Sequence, residues 1–259
     1  MNNLTISVIL TSYNQREILI RNIEAWIWVY ENQFKDFEII VADDGSDDGT
    51  IEALEKLDTP FELKLHTHPH GKDRGCAKSK NIGIDIADGD YIFVFDGDTL
   101  PGKDTLPPFL KLLPTEDCLM GLRYRFDFDK FKLHPYSPSW IEECITRKDF
   151  RAKVGDIPPL PMQYFSGANI IFPAKQLKRI KWAPDDWEGF GFDDYMCALH
   201  WLVKGHKFKM VKESVAFHIE HPNTMWSAEL KDRYMREVKN LETIIKQQHN
   251  GWFKRDENS

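Results

Sequence analysis

Short hydrophobic runs, separated by turn residues, set the rhythm of the first hundred positions. Ile6-Ser7-Val8-Ile9-Leu10 is nearly continuous and β-rich, the pattern of a strand covered on both faces. Glu17 to Tyr30 then places Ile20, Ile23, Ile27 and Tyr30 at helical spacing. Phe37-Glu38-Ile39-Ile40-Val41 predicts a second strand and Asp47 to Leu57 a second helix. Phe61 to Leu65 predicts a third strand, Ala77 to Ala87 a third helix, and Tyr91-Ile92-Phe93-Val94-Phe95 a fourth strand. Strands alternating with helices in this order predict an α/β chain with a mainly parallel sheet flanked by helices, a Rossmann-like first half. Ligands of such sheets sit at the carboxyl ends of the strands.

The second half is less regular. Arg125 to Pro161 is rich in Pro, Phe, Tyr and charge, and reads as a long, partly mobile loop region of the kind that carries function. Met162 to Phe172 predicts a strand, Phe192 to Lys204 a helix, Phe208 to Phe217 a strand, and Glu229 to Gln247 a polar terminal helix. The expected organisation is one domain over 1–259. Its parts are a regular half at 1–124, a less regular half at 125–222 and a terminal helix at 223–259.

Composition narrows the function. Of 259 residues, 42% are hydrophobic and 29% charged, which is ample for a packed core. The formal charge of -7, with no lysine- or arginine-rich run, argues against a nucleic-acid partner. Cys76, Cys118, Cys144 and Cys197 are widely spread, which speaks against a zinc ribbon or a disulfide framework and suits a reducing compartment. The amino terminus shows no signal-peptide pattern, and no apolar stretch approaches the roughly 20 residues of a membrane span. The expectation is a cytoplasmic chain with no integral membrane segment, attachment at a membrane surface being left open.

Carboxylates cluster at the expected strand ends. Asp96-Gly97-Asp98 closes the fourth strand, and two carboxylates one residue apart there form part of a site for Mn²⁺ or Mg²⁺ that keeps positions open for phosphate oxygens. Alone, the triplet is equally ordinary turn chemistry. Asp43-Asp44-Gly45-Ser46 ends the second strand. Capping of the next helix accounts for Ser46 to Asp48 but not for Asp43, whose carboxylate could accept the imide N–H of a uracil. Arg74, Lys78 and Lys80, with Asn81, stand near a helix start and could cradle a diphosphate, or simply form a solvated basic face. His66, His68 and His70 alternate, without a carboxylate of their own, beside that segment; a loop or substrate-contact role fits them better than a metal site.

Taken together, Ser7 to Asn14, Asp43 to Ser46, Lys80-Asn81-x-Gly83, Gly89 to Ile92 and Asp96-Gly97-Asp98 resemble the family 2 glycosyltransferases in order and spacing. The resemblance implies a GT-A fold that binds a nucleotide sugar, usually a UDP-sugar, through a metal bridged to the diphosphate. It implies that Thr11, Tyr13, Asn14 and Asp43 surround the nucleoside, that Arg74, Lys80, Asp96 and Gly97 help hold the donor, and that Asp98 is the more direct metal ligand. Lys80 stands where the family more often has arginine, which keeps the charge and loses the bidentate geometry.

Ser166-Gly167-Ala168-Asn169 resembles the Gly-x-Asn element before the acceptor region of these enzymes, so Gly167 and Asn169 are acceptor-side candidates. Gly189 to Asp194 resembles the Gly-Trp-Gly-x-Glu-Asp element of β-1,4-galactosyltransferases and chondroitin polymerase domains, with Phe190 in place of tryptophan and Asp193 in place of glutamate. That resemblance implies Asp194 as the base that deprotonates the acceptor hydroxyl. Phe190 and Asp193 become acceptor contacts, and Trp187 a sugar-stacking candidate beside Trp182 and Trp201, which read as core. The alternative for Asp193 and Asp194 is a helix cap. His218 resembles the strand-end histidine that completes the metal shell of chondroitin-polymerase-like domains, with His221 as its competitor.

The resulting expectation is a metal-dependent inverting transfer of a hexose or N-acetylhexosamine from a UDP-sugar to a glycan. A retaining transferase and a non-catalytic sugar-binding module are the alternatives. A sugar-nucleotide pyrophosphorylase or a Rossmann dehydrogenase would need a glycine-rich loop after the first strand, where Thr11-Ser12-Tyr13-Asn14 stands instead.

Overall fold

The computed structural model describes residues 4–70, 76–153, 165–187, 191–219 and 228–248. Its first part follows the expected alternation: β1 (Ile6–Ser12), α1 (Arg16–Asn32), β2 (Phe37–Asp43), α2 (Thr50–Leu54), β3 (Leu63–Thr67), α3 (Cys76–Ile86) and β4 (Tyr91–Asp96). Every residue of β1 and β2 is buried, which is why these strands read as continuous apolar runs. The four strands pair in parallel in the order β3-β2-β1-β4. The chain thus winds outward to β3, then returns through α3 to the other side of β1. That reversal opens a crevice at the carboxyl ends of β1 and β4.

The stripe that α1 buries is Leu19, Asn22, Ile23, Trp26 and Val29, whereas Ile20, Ile27 and Tyr30 are only half-buried. The helix therefore sits rotated from the face that its isoleucines suggest. Asn22 lies in the middle of this apolar stripe, and its Nδ2 donates to the carbonyls of Gly97 and Thr99, each at 2.9 Å. A polar residue on the packing face thereby ties the helix to the turn after β4.

Beyond β4 the sheet becomes mixed. Among the described residues it continues with β5 (Thr99–Pro101), β6 (Cys118–Phe126), β8 (Ile170–Pro173) and β9 (Phe208–Ile219) in the spatial order β4-β8-β6-β9-β5, and β7 (Ile145–Arg147) adds to the end of β6; a short helix, α4 (Pro107–Leu110), joins β5 to β6. β6 and β9 run parallel; β8 is antiparallel to both β4 and β6. The segment expected to be a loop, residues 125–161, is ordered over much of its described part. It holds the end of β6, α5 (Phe128–Phe131), α6 (Pro138–Glu143), β7 and a 3₁₀ turn over Phe150–Lys153. Phe126, Phe131 and Ile141 are fully buried, so its aromatic content is a small core of its own. Of the strand expected over Met162 to Phe172, the first three residues lie outside the described ones, and from 165 on the strand is Ile170–Pro173, with Ser166 to Asn169 leading into it.

Strand alternation builds a core on each face of the sheet. Val8, Leu10, Ile39, Val41, Phe93 and Phe95 pack under α1 around Trp26. Ile9, Ile40, Ile92 and Val94 face α3, α7 (Ala174–Ile180) and α8 (Asp193–Val203) around Trp182 and Trp201. The terminal helix α9 (Ala228–Gln248) lies on α8, with Tyr234 stacked on Phe192 at 5.4 Å. Among the described residues no helix is long and apolar enough to cross a membrane.

Candidate active site

A cavity of about 900 Å³ opens at the carboxyl ends of β1 and β4 and is closed on its far side by β6, the start of α8 and the end of β9. A larger one, about 1240 Å³, lies at the opposite edge around Leu4, Tyr91 and Pro173. Among the described residues, the group of side chains that could hold a metal lies in the smaller cavity, which is the candidate site.

Asp96, Asp98 and His218 each present a ligating atom there, all within 4.8 Å of one another. Antiparallel pairing of β5 with β9 sets Thr99 opposite His218, and the Ile219 N–H donates to the Asp98 carbonyl at 3.0 Å. That pairing places His218 Nε2 3.4 Å from Asp98 Oδ1. Burial holds the imidazole neutral, with its pKa down at about 3 despite the favourable charge of Asp98. Its Nδ1 is 2.6 Å from the Ile219 carbonyl and 2.5 Å from Arg125 Nη1. Metal binding through Nε2 requires the tautomer that donates from Nδ1 to the carbonyl, the usual outer-shell arrangement. Asp96 Oδ1 is buried and accepts no hydrogen bond. Burial, with the negative charges of Asp98 and Asp194, pushes Asp96 up to about 6 against the pull of Lys80 and Arg123. Two carboxylates, one of them under-coordinated, and a neutral imidazole fit a hard divalent cation.

Lys80 is the centre of the second cluster. Its side chain is 3% exposed, and its Nζ lies 3.2 Å from Asp194 Oδ1, 3.4 Å from Asp96 Oδ1 and 3.6 Å from Asp193 Oδ2. The ammonium also stands 4.6 Å over the Trp182 ring. Burial alone would discharge it; the surrounding carboxylates outweigh that and raise its pKa. The expected diphosphate cation is thus already engaged by three acids inside the protein.

Asp194 is better exposed than its neighbour, and its Oδ2 accepts the Gly167 N–H at 2.9 Å. A Cβ on Gly167 would collide with that same carboxylate, so glycine is required for the close approach. Asp193 turns inward and accepts from Trp182 Nε1 at 3.0 Å. Burial raises its pKa, against the charge of Lys80. Phe192, which precedes the pair, has φ 60°, a strained conformation for a bulky residue. It starts α8 at an angle that puts both acids on the cavity wall.

At the other end, Thr11, Tyr13 and Asn14 line the cavity as expected. Tyr13 stacks on His70 with ring centroids 4.1 Å apart. Asn14 joins the strand ends: its N–H donates to Ser46 Oγ at 2.8 Å and its Oδ1 accepts the Asp47 N–H at 2.9 Å. The two aspartates after β2 are not as expected. Asp43 is fully buried, and its oxygens accept from Ser46 N, Ser46 Oγ and Thr67 Oγ1 at 2.8, 2.5 and 3.1 Å. Asp44 is the residue that lines the cavity, with His70 Nδ1 at 2.9 Å and His68 Nδ1 at 3.5 Å. The alternating histidines bracket this carboxylate, and His68 also meets Ser79 Oγ at 2.9 Å.

Two further expectations change. Asn169 is fully buried at φ 59°, with Nδ2 donating to the Leu122 carbonyl at 2.8 Å and Ser214 Oγ at 3.2 Å, so it locks β6 to its neighbours and touches no acceptor space. Trp187 is 3% exposed, lies beneath Arg233 at 4.8 Å and donates to the Gly191 carbonyl; it is a packing residue, not an open sugar platform. Gly97 lines the cavity, but its own contacts are structural, with its N–H donating to the Thr11 carbonyl at 2.9 Å. Arg74, Phe190 and His221 lie outside the described residues. Among the cavity residues not foreseen are two arginines, Arg123 and Arg125, both on one face of β6, with Arg123 Nη1 3.8 Å from Asp96 Oδ2. Their alternation with buried Leu122 and Phe126 was the available signal.

Comparison with known proteins agrees with this geometry. The family model described as glycosyl transferase family 2 matches residues 7–178. Chondroitin synthase of Escherichia coli is 25% identical over 248 residues, which is 84% of this chain and 35% of that protein, so the chain spans about a third of that relative's length. The crystal structure of S. aureus TarS 1-349 in complex with UDP-GlcNAc superposes with a TM-score of 0.69 at 16% identity, covering 95% of this chain and 71% of the other. The mannosyltransferase PcManGT from Pyrobaculum calidifontis, in complex with GDP-Man and Mn²⁺, gives 0.60 at 21% identity over 93% of this chain and 64% of its own. The fold is the GT-A glycosyltransferase fold.

Proposed function

Because the chain belongs to glycosyl transferase family 2, we propose that it transfers a hexose or N-acetylhexosamine from a UDP-sugar to a glycan acceptor with inversion at the anomeric carbon. The observation that carries this reading is the position of Asp194, whose two oxygens are held by Lys80 and by the Gly167 N–H on the wall of the cavity that also contains Asp96, Asp98 and His218. Residues 1–124 serve the donor and 125–222 the acceptor. Tyr13, Asn14 and Thr11 border the nucleoside, with Asp44 in the role first given to Asp43, facing the imide N–H of the base.

Asp96, Asp98 and His218 would hold Mn²⁺ or Mg²⁺. A cation there neutralises the leaving diphosphate as a Lewis acid. Arg123 and Arg125 add positive charge on the same side. Asp194 takes the proton from the acceptor hydroxyl as its oxygen attacks the anomeric carbon. The new C–O bond forms opposite the departing diphosphate, which leaves with the electron pair of the broken bond, so an α-linked donor yields a β-glycoside. The UDP-GlcNAc bound in the TarS complex supports a UDP-sugar donor, and a relative named chondroitin synthase supports a role in polysaccharide synthesis.

A nucleotide-release screen of UDP- and GDP-sugars, with Mn²⁺ or a chelator, tests the donor. Asp194→Asn should keep UDP binding and lose about 10²–10⁴-fold in transfer, the usual contribution of a general base. An α-glycoside product by NMR, or near-normal turnover of Asp194→Asn, would remove Asp194 as base and favour a retaining mechanism.

A further inference from the structure

Asp194 and Asp96 belong to different parts of the fold, at the start of α8 and at the end of β4, and one side chain touches both. Lys80 comes from α3, which packs on β1 and β2, and places its Nζ 3.2 Å from Asp194 Oδ1 and 3.4 Å from Asp96 Oδ1. An ammonium on a four-carbon stem is a compact point charge, which several acids can share. Withdrawing it from water costs several kcal/mol, so a buried lysine is retained only where partners compensate. Here three carboxylates and the Trp182 face do so, and only 3% of the side chain reaches solvent.

We propose that Lys80 is the positioning residue of the transfer step: its ammonium holds the Asp194 carboxylate toward the acceptor side and ties it to Asp96 on the metal side. The proposal rests on the reading of Asp194 as base and assigns Lys80 to that base in preference to the donor diphosphate. Asp194 has two anchors, the Gly167 N–H on Oδ2 and Lys80 on Oδ1. A carboxylate held at both oxygens has a fixed plane and a fixed lone-pair direction. With Lys80 removed, Oδ1 loses its anchor, and the like charges of Asp96, Asp193 and Asp194 are left to repel one another.

The test is a double-mutant cycle of Lys80→Met and Asp194→Asn on the whole chain, reading kcat, acceptor KM and, by calorimetry, UDP affinity in Mn²⁺. Lys80→Met should lower kcat by about 10²-fold, the cost of misplacing a catalytic group by roughly 1 Å. UDP affinity should stay at the wild-type value. In the Asp194→Asn background the same substitution should cost almost nothing more, because groups that act as a unit are not additive. Independent, multiplying losses with a slow Asp194→Asn would overturn the role of Lys80 and leave the base in place. A fall in UDP affinity in step with kcat would also overturn it and make Lys80 a diphosphate ligand. Near-normal turnover of Asp194→Asn would overturn the base and the proposal together. If circular dichroism shows that Lys80→Met does not fold, Lys80→Gln, which keeps a hydrogen-bond donor in the slot, carries the same cycle and the same outcomes.

Discussion

His218 Nε2 faces Asp98 Oδ1 across 3.4 Å because β5, three residues long, pairs antiparallel with the end of β9. The imidazole thus arrives from the far end of the chain at a carboxylate that the sequence places with Asp96. Calorimetry should show UDP binding much more tightly with Mn²⁺ than with a chelator. Asp98→Ala should cost the metal at least the roughly 10–100-fold that even an outer-shell loss costs, and His218→Ala should follow it. Equal UDP affinity with and without metal would sink the assignment. So would an intact metal effect in both variants.

The two aspartates after β2 should separate cleanly. Asp44 lines the cavity, so Asp44→Ala should weaken UDP binding by about 10–150-fold, the value of one hydrogen bond to a charged group. Asp43 is committed to Ser46 and Thr67. Asp43→Ala should therefore appear first as a lower melting temperature. The opposite pattern, a stable Asp43→Ala that loses UDP, would restore Asp43 to the nucleoside.

Asn169→Ala should act on stability. It leaves the Leu122 carbonyl without its 2.8 Å donor, a loss of about 1–3 kcal/mol. It also puts alanine at φ 59°, which adds roughly 1–2 kcal/mol. Urea unfolding would measure the sum, and Asn169→Gly should recover the backbone part. Unchanged stability with a raised acceptor KM would contradict the structural role.

Asp149 and Arg151 form an ion pair with side chains only 5% and 4% exposed, and Asp149 Oδ2 also accepts the Arg123 N–H at 2.8 Å. Burial raises the Asp149 pKa, but the Arg151 guanidinium and its hydrogen bonds outweigh that and hold it below the carboxylate range. A depressed carboxylate stabilises the fold fully above its unfolded value, about 3.9. That stability is lost as pH falls from there through the folded-state value. Asp149→Asn removes the negative charge paired with the buried Arg151 guanidinium and should cost up to about 3–5 kcal/mol at neutral pH, the range for breaking a buried pair. It should also remove this pair's share of the loss at low pH. A variant as stable as wild type in pH-dependent melts would refute it.

The first four strands, their helices and the strand ends that border the candidate site were legible in the local pattern of residues. Continuous apolar runs such as Ile6 to Leu10 between turn residues read as interior strands, and with the strands parallel, acids such as Asp96 and Asp98 at their carboxyl ends face the crevice. The sequence also singled out Asp194 and His218, through local motifs. Tertiary structure decided which of two neighbouring side chains points outward. Asp43 against Asp44, and Asp193 against Asp194, differ by one position, and that choice is made by Thr67, Trp182 and Gly167, which are distant in the chain. Tertiary structure also decided that Asn169 and Trp187 are interior, since a polar or aromatic residue in a turn carries no mark of what will cover it. The same holds for Asn22, whose amide fixes the turn at Gly97 from the middle of an apolar stripe, and for Lys80, whose three carboxylate partners come from two separate elements. Burial and pairing of this kind are properties of packing between elements, and no local pattern of residues encodes them.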